Sequence, residues 1–226
     1  MIDTQSSLAE LARHYPGGTA ILHRHGLDFC CGGARTLEAA CNAKGLDSAE
    51  ILQSLERSEK DGEGVSLHLD LWDAPLLVRY IEMNHHAFLR GLFPTLQQQI
   101  AKVVAKHGAR YAEIHAIADL VEDLAATLEQ HMIEEEHGIF RAVQSNGDPS
   151  AFRDEVTRHM TDHDAIGRKM DDLRILTNNF TPPDDACNTH RSVYTLLERL
   201  VDDTMQHVFL ENAVLFPMLT KPSNAS

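Results

Sequence analysis

The chain has 226 residues, of which 43% are hydrophobic and 24% are charged, and its formal net charge is -14. This charge argues against a sequence-independent grip on nucleic acid, and no stretch approaches the ~18 apolar residues that a membrane-spanning helix needs. The first residues lack the basic segment and apolar run of a secretory signal, so we expect a cytoplasmic protein that binds neither nucleic acid nor membrane.

Residues 1–57 are predicted to form a small helical domain. Short helical segments in this region alternate with breaks, among them residues 16–18 and 32–33, which contain proline or glycine. A polar, glycine-containing segment follows, and this composition is typical of a linker between domains. We therefore assign 58–72 as the linker and 73–226 as the second domain.

Four long segments of the second domain carry apolar residues at helical spacing. They are 74–106, 110–144, 150–178 and 187–219. Four helices of about 30 residues joined by short loops favour an antiparallel four-helix bundle. We therefore predict an all-α fold. Pro94 should bend or locally unwind the first helix of the bundle, because proline removes a backbone donor.

Histidine is the unusual residue type, with 14 copies, and it is the commonest metal ligand in proteins. His131 and Glu135 lie four residues apart on the second predicted helix, and His207 and Glu211 repeat this spacing on the fourth. Each pair therefore presents an imidazole and a carboxylate on one helix face. One such pair is usually an ion pair in solvent, but two pairs on different helices indicate a set of metal ligands.

The other two predicted helices supply further histidines at the same height. The first helix carries His85 and His86, and the third carries His159 and His163. Antiparallel packing brings both groups level with His131. The spacing does not decide between His85 and His86, or between His159 and His163. The histidines outside the ligand set are expected at the surface or around the ligands.

This donor set favours a pair of iron ions over a structural zinc ion, which commonly uses thiolates. Two carboxylates can bridge two cations and offset much of their charge. Open coordination positions would remain for dioxygen or nitric oxide. Our predicted arrangement has His86 and His131 at one metal, His163 and His207 at the other, and Glu135 and Glu211 as bridges.

Cys30 and Cys31 are adjacent, and their α-carbons, about 3.8 Å apart, are too close for an ordinary disulfide between them. Gly32 and Gly33 follow, and glycine permits close approach of the backbone. Thiols near helix starts can be reactive enough to bind metal or exchange clusters. The alternative is that the two cysteines act as small buried apolar side chains.

Seven segments of the chain match motifs of one known family. They are LDFCCGG at 27–33, NHHAFLR at 84–90, HMIEEE at 131–136, DHD at 162–164, NNFTPP at 178–183, HVFLEN at 207–212 and LFP at 215–217. In these motifs the chain resembles the iron-sulfur cluster repair di-iron proteins, called RIC, YtfE or ScdA. The resemblance covers nearly the whole chain and implies a hemerythrin-like second domain after an ScdA-type N-terminal domain.

The resemblance implies two non-haem iron ions per chain, joined by an oxo or hydroxo bridge. His86 is preferred over His85 because the family's ligand lies eight residues before the proline that matches Pro94. The resemblance also implies a functional role for Cys30 and Cys31. The implied ligands are His86, His131, His163 and His207 as terminal donors, with Glu135 and Glu211 as bridges.

The function implied by the resemblance is the repair of iron-sulfur clusters damaged by oxidative or nitrosative stress. The repair would proceed by iron delivery or by removal of nitric oxide. The implied partners are damaged iron-sulfur proteins, and the implied assembly is a homodimer. Two alternatives stay open. Reduction of nitric oxide would make the chain an enzyme. A sensor or carrier of nitric oxide or dioxygen would need only the bundle, so the Cys30-Cys31 module counts against it.

Overall fold

The structure is a computed structural model, and it describes residues 2–60, 69–145 and 152–220. The described residues form helices and no strand, and the bridge between Ser7 and Thr36 is isolated. The all-α prediction is confirmed. None of the described helices is both long and apolar enough to cross a membrane. The chain divides into two compact units, Met1–Leu77 with Met205–Ser226, and Val78–Thr204.

The α-helices of the described residues follow in chain order. They are α1 (Leu8–His14), α2 (Gly18–Arg24), α3 (Leu37–Asn42), α4 (Ser48–Lys60), α5 (Ala74–Ile81), α6 (Ala87–His107), α7 (Glu113–His137), α8 (Ile139–Gln144), α9 (Arg153–Leu176), α10 (Asn188–Phe209) and α11 (Phe216–Thr220). Two π-helical segments, Glu82–His86 and Leu210–Leu215, join α5 to α6 and α10 to α11.

The first unit contains the short helices α1 to α4. Ser7 and Thr36 cap α1 and α3, each accepting a backbone N–H at 3.2 Å. The predicted end of the last helix near residue 57 is corrected to Lys60, because Ser58 is buried and its hydroxyl donates to the carbonyl of Pro16. The rest of the predicted linker includes 61–68, which lie outside the described residues.

In the second unit, α7 packs along α6 and along α9. Apolar side chains recur on α7 every three or four residues and are fully buried, each stabilising the fold by roughly 1.5 to 3 kcal/mol. They are Ile114, Ile117, Val121, Leu124 and Leu128. The α10 segment of this unit also contributes, since the guanidinium of Arg199 lies over the ring of Phe88 on α6.

Three of the predicted long helices are irregular. The fourth contains the π-helical segment Leu210–Leu215. In the first, Pro94 lies within regular α-helix, and the π-helical segment Glu82–His86 ends eight residues before it. The second predicted helix, 110–144, is interrupted at Gly138. A Cβ at Gly138 would meet the carbonyl of Glu134 at 2.7 Å and would also collide with the Glu155 carboxylate of α9. The clash with the Glu134 carbonyl cannot be relieved by moving a side chain, so this position favours glycine.

Candidate metal centre

A buried carboxylate, Glu135 on α7, lies among four imidazoles of the second unit. Its Oε1 is 3.1 Å from His131 Nε2, and its Oε2 is 3.5 Å from His86 Nε2. His159 Nδ1 and His163 Nε2 lie 3.8 and 3.9 Å from Oε1. All five side chains are buried, and Glu135 has no exposed surface. A buried charge requires partners, and a cation held between these groups is one way to supply them.

The two oxygens of Glu135 face different imidazoles, as a bridging carboxylate requires. His131 Nε2 and His163 Nε2 lie only 2.9 Å apart on the Oε1 side, whereas His86 faces Oε2. The structure thus groups His131 with His163 and brings His86 to the other oxygen, a grouping that differs from the predicted pairing of His86 with His131. Residue spacing indicates the height of a ligand along a helix but not which carboxylate oxygen it faces.

His86 is held in a fixed orientation by its other ring nitrogen. Nδ1 lies 2.8 Å from Glu136 Oε1, and the Arg90 guanidinium donates to both oxygens of Glu136, at 2.7 and 3.2 Å. Burial raises the pKa of Glu136, but the hydrogen bonds from Arg90 and His86 outweigh burial and lower it. An ionised Glu136 can only accept a hydrogen bond, so Nδ1 donates to it and Nε2 is directed towards Glu135. Carboxylate partners of this kind orient metal-binding histidines.

His85 and His86 are adjacent in sequence but point to different partners. His85 Nδ1 lies 3.0 Å from Asp203 Oδ1, and its ring contacts Tyr80 edge-on. His85 therefore faces an acid on α10, whereas His86 faces Glu135. The π-helical segment that holds both histidines is a rare distortion that occurs often at functional sites.

His159, which the predicted ligand set does not include, also lies beside Glu135. Its side chain has no exposed surface, and its Nε2 lies 3.9 Å from Glu155 Oε1 while its Nδ1 faces Glu135. One donor atom each from His131, His159 and Asp162 also lies within 4.8 Å of the others. The sequence signal for His159 was its place one turn before His163 on the same helix face.

The first unit holds the second predicted pair of donors. His207 Nε2 lies 2.9 Å from Glu211 Oε1, and both side chains are fully buried. Glu211 belongs to the π-helical segment Leu210–Leu215. Pro217 has no N–H for the usual bond to the carbonyl of Ala213, and the Arg13 guanidinium donates to that carbonyl at 3.4 Å.

The predicted cysteine pair also lies in the first unit, between α2 and α3. The sulfurs of Cys30 and Cys31 are 3.8 Å apart and form no disulfide. Cys30 is buried, and Cys31 is half-buried. The hydrogen bond with Cys31, burial and the nearby Asp28 carboxylate all raise the pKa of Cys30. Cys30 therefore retains its proton more strongly than an ordinary thiol, and Cys31 is the more accessible of the two.

The sequence of the chain matches two known protein domains. Residues 77–219 match the hemerythrin HHE cation binding domain, and residues 4–59 match ScdA_N, a domain of unknown function. The iron-sulfur cluster repair protein ScdA of Staphylococcus haemolyticus is 31% identical over 219 residues, which cover 96% of this chain and 98% of that protein. The chain belongs to the iron-sulfur cluster repair proteins of the hemerythrin HHE family.

Two further members of this repair family are the proteins named YtfE from Musicola paradisiaca and Yersinia pestis. They are 36% and 34% identical, over 94% and 93% of this chain and 95% of each relative. The family confirms a helical bundle preceded by a small helical region. The hemerythrin match includes every predicted metal ligand, and the ScdA_N match includes Cys30 and Cys31. A domain that binds cations accords with buried imidazoles and carboxylates in close contact.

Proposed function

We propose that this chain is a di-iron protein that repairs iron-sulfur clusters damaged by oxidants or nitric oxide. The observation that carries the proposal is Glu135, a buried carboxylate with imidazole nitrogens within 4 Å of both of its oxygens. Nitrogen and oxygen donors without thiolates suit iron in a helical bundle. The relatives are named iron-sulfur cluster repair proteins, and these names are the basis for proposing cluster repair.

The proposed ligands to two iron ions are those that the sequence and the family resemblance indicate. Glu135 and Glu211 bridge the two ions, and their two negative charges offset part of the cations' charge. The separate contacts of each carboxylate with a histidine support this role. His86, His131, His163 and His207 are the proposed terminal ligands. Such a centre supplies open coordination positions that can bind nitric oxide or dioxygen.

The protein's own residues have identifiable tasks in this proposal. Glu136 and Arg90 hold the His86 ring so that its Nε2 faces the centre. Cys30 and Cys31 are the proposed reactive thiols, with the more accessible Cys31 as the first contact for a damaged iron-sulfur protein. A homodimer in the cytoplasm completes the proposal. The ScdA_N module favours repair over a simple gas carrier, which would need only the bundle.

A dehydratase whose iron-sulfur cluster has been destroyed by nitric oxide tests the proposal. We expect added wild-type protein to restore its activity, and we expect the double variant Glu135→Ala/Glu211→Ala to restore little because it cannot hold iron. Glu122→Gln, an exposed change on α7, is the matched control and should behave as wild type. Equal recovery with the double variant would refute the iron-centred proposal. Nitrous oxide released from the reduced protein under nitric oxide would instead identify a reductase.

A further inference from the structure

Three donor groups of the loop between α2 and α3 converge in the first unit. The sulfurs of Cys30 and Cys31 are 3.8 Å apart, and Cys30 Sγ lies 3.2 Å from Asp28 Oδ1. One atom from each residue lies within 4.8 Å of the other two. Two thiolates bound to one tetrahedral ion at about 2.3 Å are separated by about 3.8 Å. The two sulfurs therefore already have the separation that a single chelated ion requires.

The loop holds this arrangement through its backbone. Asp28 Oδ1 accepts the N–H groups of Cys30 and Cys31 at 3.1 and 2.9 Å, and Oδ2 accepts the N–H of Gly32 at 2.8 Å. A Cβ at Gly33 would lie 2.5 Å from the carbonyl of Phe29, so this tight turn requires glycine. The thiols are consequently preorganised, which reduces the entropy lost on binding an ion.

The same loop is joined to the helical segment that carries Glu211. The side-chain amide of Asn212 donates to the carbonyl of Cys30 at 3.3 Å, and Phe29 packs edge-on against Phe209. Both contacts lie within the first unit. The cysteine loop is therefore held against Asn212, the residue after a proposed bridging carboxylate, and against Phe209, two residues before it. An ion bound by the cysteines would lie beside the proposed iron-binding helix.

We propose that Cys30, Cys31 and Asp28 form a second metal site, which binds one thiophilic divalent cation, ferrous iron, as cargo in transit. This inference rests on the proposed function in repair. On binding, each thiol loses its proton to solvent, and the cation takes the place of the Cys30 proton that faces Asp28 Oδ1. Two thiolates and a carboxylate leave one tetrahedral position open, which a thiolate or sulfide of the client can occupy.

Anaerobic titration of the iron-loaded, full-length protein with Co²⁺ tests this site. Absorption from thiolate-to-cobalt charge transfer reports sulfur ligation, and equilibrium dialysis counts the bound cobalt. We expect about one cobalt per chain with sulfur ligation in the wild type and in Cys187→Ser, a variant of an exposed cysteine. Cys30→Ser/Cys31→Ser should lose the thiolate band, and Asp28→Asn should bind cobalt at least several-fold more weakly. A large excess of Fe²⁺ should compete with cobalt and weaken the thiolate band, because Fe²⁺ ordinarily binds a given site less tightly than Co²⁺.

The outcomes separate this inference from the proposed function. Iron content and far-UV circular dichroism of the serine double variant show whether the fold and the iron centre are intact. A wild type that holds its iron but shows no thiolate-cobalt band overturns the second site and leaves the repair function standing. A thiolate band that persists in the double variant also overturns it, as does a band that a large excess of Fe²⁺ leaves unchanged. Absence of iron from the purified protein contradicts the proposed function instead.

Discussion

The histidines around Glu135 and His190 of α10 are equally buried, but their surroundings differ. The Glu135 carboxylate lies within 4 Å of four imidazoles. The His190 ring instead contacts the rings of Tyr111 and Tyr194, with centroids 5.0 and 5.4 Å away. Within the part of the chain that the structure describes, neither nitrogen of His190 has a hydrogen-bond partner. A buried histidine therefore indicates a metal site here only where an acid and further imidazoles converge with it.

The largest expected difference in iron content is between substitutions at Glu135 and at His190. We expect Glu135→Ala to lower the iron content from about two ions per chain to nearly none, because the bridging donor is lost. His190→Phe should retain the iron, since His190 belongs to none of the converging donor groups found among the described residues. Iron analysis after gel filtration measures both. Full iron content in Glu135→Ala, with Glu122→Gln as the control, would contradict the assignment.

The next largest difference in iron content is expected between substitutions of the adjacent residues His85 and His86. We expect His86→Ala to lose at least half of the iron, because one ion loses a terminal donor, and we expect His85→Ala to retain nearly all of it, because His85 faces Asp203. Iron content and the visible absorption of the oxidised protein report the difference. The reverse order of iron loss would assign His85 as the ligand.

A smaller effect is expected when the support of His86 is weakened. Glu136→Gln should decrease the affinity for iron by roughly 10- to 100-fold, because it removes the charge that orients the imidazole. Glu129→Gln is a matched control, since Glu129 also accepts hydrogen bonds from Arg90 but is not the partner of His86 Nδ1. Competition with a chelator measures both affinities. Equal affinities in the two variants would show that Glu136 does not act through His86.

The smallest effect concerns the pH dependence of stability near His190. Burial lowers the pKa of His190, and His107 adds to this effect while Glu113 opposes it. The unfolded chain therefore binds a proton at His190 more readily than the folded chain, so His190 favours unfolding as the pH falls below about 6.5. Denaturant unfolding at several pH values should show His190→Phe losing less stability than wild type on acidification. Parallel curves for both proteins would contradict this assignment.

Helical periodicity was sufficient to predict the type and order of the long helices. Apolar residues at three- and four-residue spacing on α7 predicted a helix that is half buried, and the structure has it. The interruption at Gly138 could not be predicted in this way, since a glycine within a helical pattern does not by itself show that the helix ends there. The π-helical segments also escape periodicity, because each is too short to establish a period of its own.

In the candidate metal centre, contacts within one helix could be predicted from the sequence, whereas contacts between helices could not. The His131/Glu135 spacing places both side chains on one face, and their atoms lie 3.1 Å apart. The partnership of His86 with Glu136, 50 residues away, depends on how α6 and α7 pack. The burial of His159 likewise depends on tertiary packing, so residue spacing alone did not reveal it.

Mössbauer spectroscopy combined with iron analysis of the purified protein is the decisive test of the di-iron centre. We expect about two irons per chain that form one magnetically coupled pair, and we expect Glu135→Ala to lose this signal. A single uncoupled iron, or a coupled pair that remains unchanged in Glu135→Ala, would contradict the di-iron assignment.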